Sequence, residues 1–308
     1  MFLKIEKLLK IAYHKVYNHP LPERHRFPML KYDLIAEQLQ YEGLVTADNF
    51  FAPDLLRYET ACLAHKPSYV NAVFNLQLDP KMVRRLGFPL SEELLIRERC
   101  LVDGTLQSAL YALEYGVSFN VAGGTHHAGY DYAEGFCLLN DQAIAAAYLI
   151  AQQRAKKILI IDLDVHQGNG TAHIFLARPD VFTFSMHGEK NFPFIKERSD
   201  LDVPLPDGID DAAYLARLAT HLPDLFTRLQ PDFVFYQAGV DILETDKLGK
   251  LKLTPQGCKQ RDRMLLQACR DRDIPVQVSM GGGYSPNIKH IVNAHVETYR
   301  AAIDIFDF

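Results

Sequence analysis

Five runs constrain the fold more than any other feature of the chain. They are SFNVAG (118–123), KILIIDLD (157–164), DVFTFSM (180–186), DFVFYQAG (232–239) and IPVQVSM (274–280). Several are continuously apolar. A strand with one face in water alternates apolar and polar residues, so continuous runs predict strands covered on both faces, as in a parallel sheet. Helical patterns separate the runs. Asn140 or Asp141 caps DQAIAAAYLIAQQ, which ends in Arg154, Lys156 and Lys157, an arrangement that suits the helix dipole. From Asp211, leucines recur at 215, 218, 222, 225 and 229. Thr254-Pro255 opens a helix to about Arg272, and Ser91-Glu92-Glu93 opens one toward Tyr115 with an expected break near Gly104. The alternation predicts an α/β fold with a mostly parallel central sheet flanked by helices, in one domain over residues 1–308. The first 90 residues read as less regular, with a proline-rich loop at 19–28.

Each strand-like run is followed at once by residues that carry chemistry. Thr125-His126-His127 follow the first. Asp162, Asp164 and His166 close the second, and His187 follows the third. Asp241 follows the fourth, and Gly281-Gly282-Gly283-Tyr284 the fifth. In an open parallel sheet the carboxyl ends of the strands share one rim, where ligands bind. Two carboxylates and an imidazole (Asp164, His166, Asp241) form a nitrogen–oxygen donor set that leaves a tetrahedral zinc one open position. Alternation along an extended strand would put Asp164 and His166 on one side. Each residue alone reads more simply as a turn residue, a cap or a hydrogen-bonded histidine; together at strand ends they point to a metal. Adjacent His126 and His127 suit acid–base work near neutral pH, and the glycine triplet delivers a phenol able to bond a developing oxyanion.

GGTHHAG, GFCLLND, DLDVHQGNGT, QAGVDIL and GGGY, in this order, together with Tyr13-His14 and His19-Pro20, resemble the zinc-dependent histone deacetylase superfamily, which includes bacterial acetylpolyamine and acetoin-utilisation relatives. The resemblance implies an arginase-like α/β fold and hydrolysis of an N-acyl-lysine amide, acetyl or longer. It implies Asp164, His166 and Asp241 as zinc ligands, and His126 and His127 as the paired histidines, with His127 the general base. It makes Asp162 the partner of His126 and Tyr284 the group that polarises the acyl carbonyl. Phe136 and Phe192 become the walls of an acyl-lysine tunnel to which Gly135 and Gly283 lend backbone. A structural potassium ion near the carbonyls of Asp162, Asp164, His166, Ser185 and Met186 is implied as well. Many members carry a second acid where this chain has Asn169; asparagine there, with DLDVHQGNG and AGVDILETDKLGKL, looks most like the class IV branch. An amide holds His127 without adding charge, whereas a carboxylate would raise its pKa.

Three alternatives stand beside this reading. An acetylpolyamine or other small acyl-amine is a candidate substrate. An arginase-like ureohydrolase would need further bridging carboxylates, and Asn169 removes one. A non-catalytic acyl-lysine binder would not need the full set of ligands, histidines and Tyr284. The net charge of −5, with no long basic run, argues against a nucleic-acid surface. Five scattered cysteines without a CxxC pair predict a reducing compartment and a cytoplasmic protein. The first fifteen residues, MFLKIEKLLKIAYHK, are too charged for a signal peptide or membrane span.

Overall fold

The computed structural model describes residues 8–308; the first seven residues of the charged N-terminal stretch lie outside that range. The strands are β1 (Lys10–Ala12), β2 (Phe50–Phe51), β3 (Val117–Asn120), β4 (Ile158–Asp162), β5 (Val181–Gly188), β6 (Leu201–Leu205), β7 (Phe233–Gln237) and β8 (Val276–Ser279). They form one eight-stranded sheet in the order β2-β1-β3-β8-β7-β4-β5-β6. Every pairing is parallel. The five apolar runs are β3, β4, β5, β7 and β8. All residues of β3, β4, β7 and β8 are buried, as continuous apolar strands require.

The three strands not foreseen lie at or near the sheet's edges. β1 and β2 are too short to show a period, and β6 carries Pro204, which an edge strand tolerates. The first 90 residues also hold more structure than their pattern suggests, including helices Lys31–Tyr41, Pro67–Phe74 and Pro80–Leu86.

Helices flank the sheet. Glu92–Tyr115 packs on β1, β3 and β8 and against Asp141–Ala151, while Asp211–Leu229, Pro255–Arg270 and Ile288–Phe306 pack in succession. Their starts follow the expected chemistry. The side chains of Ser91, Asn140, Asp210 and Thr254 each accept a hydrogen bond from the first turn of the helix they cap.

The expected break at Gly104 does not occur: Glu92–Tyr115 is one continuous helix. Glycine is used there for close approach. A Cβ on Gly104 would overlap the Tyr17 hydroxyl and stand 3.0 Å from both Asn120 Nδ2 and Pro53 Cγ. Gly104→Ala therefore adds a methyl group where buried neighbours have no room. Despite alanine's better helix propensity, it is expected to lower unfolding free energy by about 1–3 kcal/mol, measured by urea denaturation.

Candidate active site

The site lies beyond the carboxyl ends of β3, β8, β7 and β4, four adjacent strands at the centre of the sheet. The loop after β3 is anchored by buried Asp141, the first residue of its helix. The Asp141 carboxylate accepts from the backbone of Gly124 (3.0 Å) and Thr125 (2.8 Å) and from the hydroxyls of Thr125 (2.7 Å), Thr105 (2.7 Å) and Ser279 (3.1 Å). These bonds fix the two residues immediately before the histidine pair.

β4 ends at Asp162, so Asp164 and His166 are not aligned by strand alternation. They converge in the bend that follows. Asp164 Oδ1 accepts from the His166 backbone (3.0 Å), and Oδ2 accepts from the Gly282 backbone after β8 (2.9 Å). Asp241 Oδ1 accepts from the Val165 backbone (2.9 Å). The three side chains are buried and offer ligand atoms within 4.8 Å of one another. His166 Nδ1 stands 3.1 Å from both Asp164 Oδ1 and Asp241 Oδ2. Burial, then the charge of Asp164, pushes Asp241 up to about 7. A cation bound among them would offset both causes, and one nitrogen with two oxygens is a donor set a divalent metal accepts. The residues present fit such an ion.

The histidine pair is held by two different partners. His126 Nδ1 is 2.6 Å from Asp162 Oδ2, and His127 Nδ1 is 2.6 Å from Asn169 Oδ1. The electrostatics separate them. Burial works against the charged form of His126, but Asp162 and then Asp164 outweigh it and push the group up to about 9. Burial lowers His127 well below the ordinary histidine range; the charges of His126 and His166 add to that, and the bond to Asn169 only opposes it. Two adjacent imidazoles driven in opposite directions are poised for opposite protonation states.

Phe136, Phe192, Gly135 and Tyr284 line one cavity together with His127 and His166. The Phe192 ring meets His127 edge-on at 4.9 Å, and Tyr284 lies 6.4 Å from His166 and 6.3 Å from Phe136 between ring centroids. Gly135 has φ 56°, and a Cβ there would come within 2.7 Å of His127 Cδ2 and 3.1 Å of Phe192. The position thus needs glycine both for its backbone and for the space. Gly283 sits beside Val240 and Ile291, behind the loop that carries Tyr284. The Tyr284 backbone donates to Asp246 Oδ2 (2.6 Å). Burial, and then the charges of Asp241 and Asp164, hold its phenol protonated. His187 does not join the site: its Nδ1 pairs with Ser185 Oγ at 2.9 Å. His65 is buried and structural, between the Gly129 carbonyl (2.8 Å) and the Asn140 backbone N–H (2.9 Å).

Three residues at or near the site escaped the sequence. Lys31 opens a helix, where lysine ordinarily reaches water, yet it is fully buried and donates to the Gly281 carbonyl (2.7 Å). Burial pulls its amine down to about 8 against the carboxylates of Asp241, Asp164 and Asp246. Glu134 accepts from Asn169 Nδ2 at 3.1 Å and pairs with Arg85 at 2.8 Å; nothing in its local pattern marks it. Arg261 did leave a signal, because with Asp262 it occupies the face that carries Cys258, Leu265, Leu266 and Cys269. It donates to the Gly239 (2.5 Å) and Leu163 (3.2 Å) carbonyls, gripping the chain after β7 and β4 from behind.

A family model described as the histone deacetylase domain matches residues 25–299, so Tyr13-His14 and His19-Pro20 fall outside the match. An uncharacterized protein of Picosynechococcus sp. is 47% identical over 96% of this chain and 99% of its own length. Histone deacetylase 2 of Arabidopsis thaliana is 26% identical over 89% of this chain and 73% of its own. Histone deacetylase 8 of Xenopus tropicalis is 28% identical over 88% and 76%. Among solved structures, an HDAC homolog complexed with SAHA superposes with a TM-score of 0.82 at 24% identity, covering 98% of this chain and 89% of that one. The HDA15 HD domain gives 0.76 at 24%, over 96% and 95%. At that identity the two structures speak for the fold, which agrees with the parallel sheet and its flanking helices.

Arg261 and Asp262 form a fully buried ion pair at 2.7 Å. Removing one partner leaves a buried charge uncompensated. Arg261→Met is expected to cost about 3–5 kcal/mol, and Arg261→Met with Asp262→Asn to recover part of it, both read from chemical denaturation.

Proposed function

The chain belongs to the histone deacetylase family, and we propose that it hydrolyses the side-chain amide of an acyl-lysine, acting as a single catalytic domain. The observation that carries the reading is the convergence of the buried Asp164–His166–Asp241 donors with two oppositely poised histidines and a protonated Tyr284, a cluster that faces the cavity through His127, His166 and Tyr284. A zinc ion held by Asp164, His166 and Asp241 would supply Lewis acidity toward the acyl carbonyl and acidify a water.

The remaining work falls to the chain's own groups. The acyl-lysine stem threads between Phe136 and Phe192, with the Gly135 backbone beside it. His127, kept neutral by burial and by its charged neighbours, takes the water proton at Nε2, since its Nδ1 is engaged with Asn169. The Tyr284 hydroxyl donates to the carbonyl oxygen as that oxygen gains charge. His126 or His127 then returns a proton to the leaving lysine amine. Asp162 orients His126 and favours its charged form. A potassium ion near the Asp162, Asp164, His166, Ser185 and Met186 carbonyls belongs to the same reading; Asp162 and Ser185 are sheet partners. Asn169 in place of an acid is why we set the chain nearest the class IV branch.

A panel of N-acyl-lysine peptides and N-acyl-polyamines of graded acyl length, assayed with and without chelator, tests the reading. Chelator-sensitive release of acid and free lysine is expected; no turnover of any acyl-lysine would overturn it. Tyr284→Phe is expected to lower kcat by about 10²–10³ with metal content unchanged. In Asn169→Asp a carboxylate would raise the pKa of His127. Because His127 acts while neutral, the acidic limb of the kcat/KM profile is expected to move to higher pH.

A further inference from the structure

We propose that the mouth of this cavity selects acyl-lysines set in acidic peptide segments and disfavours acyl-polyamines; the inference rests on the amide-hydrolase reading and assigns its substrate class. The mouth is lined by Arg26, Arg85, Lys190 and Lys250, with Phe194 beside them. All four cations are exposed. The one acid among the lining residues is Glu134, and it is already engaged by Arg85 and by Asn169. Arg26 lies over the Phe136 ring, 5.1 Å from its centroid, and has no carboxylate in ion-pairing range among the described residues; nor has Lys250, whose Nζ instead donates to the Lys190 carbonyl at 3.0 Å. Lys190 is 4.0 Å from Asp207.

The concentration of charge is local. The chain as a whole is net −5, yet cations from the segment before the first helix, from the helix Pro80–Leu86, from the turn after β5 and from the loop after Asp241 gather around one opening. A cavity mouth of one sign concentrates ligands of the other and repels its own. A peptide crossing this mouth lays the residues flanking its acyl-lysine on the rim, where aspartates or glutamates find free donors and a planar guanidinium suited to carboxylates. A polyamine brings further ammonium groups to the same place.

The test uses matched acyl-lysine peptides with acidic, neutral or basic residues on both sides of the lysine, and an acyl-spermidine with the same acyl group. At low salt the acidic peptide is expected to exceed the basic one in kcat/KM by about 10-fold or more, chiefly through KM, with the gap narrowing at high salt. Arg26→Glu with Lys250→Glu is expected to invert the order. Equal kcat/KM for all flanks, or a preference for the acyl-spermidine, would overturn the proposal. So would tight sedimentation with phosphatidylserine vesicles without flank discrimination, which would assign the patch to a membrane surface. Affinity for the same peptides is read separately by fluorescence anisotropy. An enzyme that cleaved none of them would thus overturn the acyl-lysine reading while the rim was still judged on the affinity ratio.

Discussion

Buried carboxylates that must be satisfied dominate this molecule. Asp141, Asp162, Asp164 and Asp241 lie at the rim of the sheet, almost wholly removed from water. A buried charge is tolerable only when hydrogen bonds and opposite charge meet it. Each of the four accepts backbone N–H groups, and those N–H groups belong to the loops that carry the site. Satisfying the acids and shaping the loops are therefore the same event. Asp141 ties down the segment before the histidine pair, and Asp164 draws the glycine triplet after β8 toward the bend after β4.

The sheet supplies the coarse placement. Because all eight strands are parallel, β3, β4, β7 and β8 end on one side, and residues more than a hundred positions apart meet there. From behind, Arg261 holds the carbonyls of Leu163 and Gly239 in one guanidinium. It thereby sets the separation of the two chain segments that present Asp164 and Asp241. The rigidity this gives the donor set lies in a helix that contributes no side chain to the cavity.

Much of this was legible in the sequence because burial leaves a pattern. The central strands could be read from continuous apolar runs, and the rim from the polar residues that interrupt them. The helix caps Asn140, Ser91 and Thr254 were legible because their chemistry is local. What stayed hidden has physical reasons. β1 and β2, of three and two residues, are held by the sheet and not by their own pattern. Gly104 looked like a helix breaker because propensity is local, while the Tyr17 hydroxyl that demands a glycine comes from far away in the chain. Lys31 left no mark in the sequence, because burial of a lysine at a helix start depends on what lies over it. The bend that gathers Asp164 and His166 was mistaken for strand, since two residues alternate in register whether the backbone is extended or turned by a carboxylate.

Glu134 has a consequence for the ring it never touches. Its carboxylate, paired with Arg85, can only accept, so the Asn169 side chain must turn its amide nitrogen outward and its oxygen inward. An inward oxygen can only accept in turn, so the hydrogen on neutral His127 must sit on Nδ1. The lone pair is left on Nε2. The tautomer of the proposed base is thus dictated from the protein surface through a chain of groups that each have one permitted direction. A carboxylate at 169 could accept from His127 but could not donate to Glu134, and that chain would be broken at its middle link.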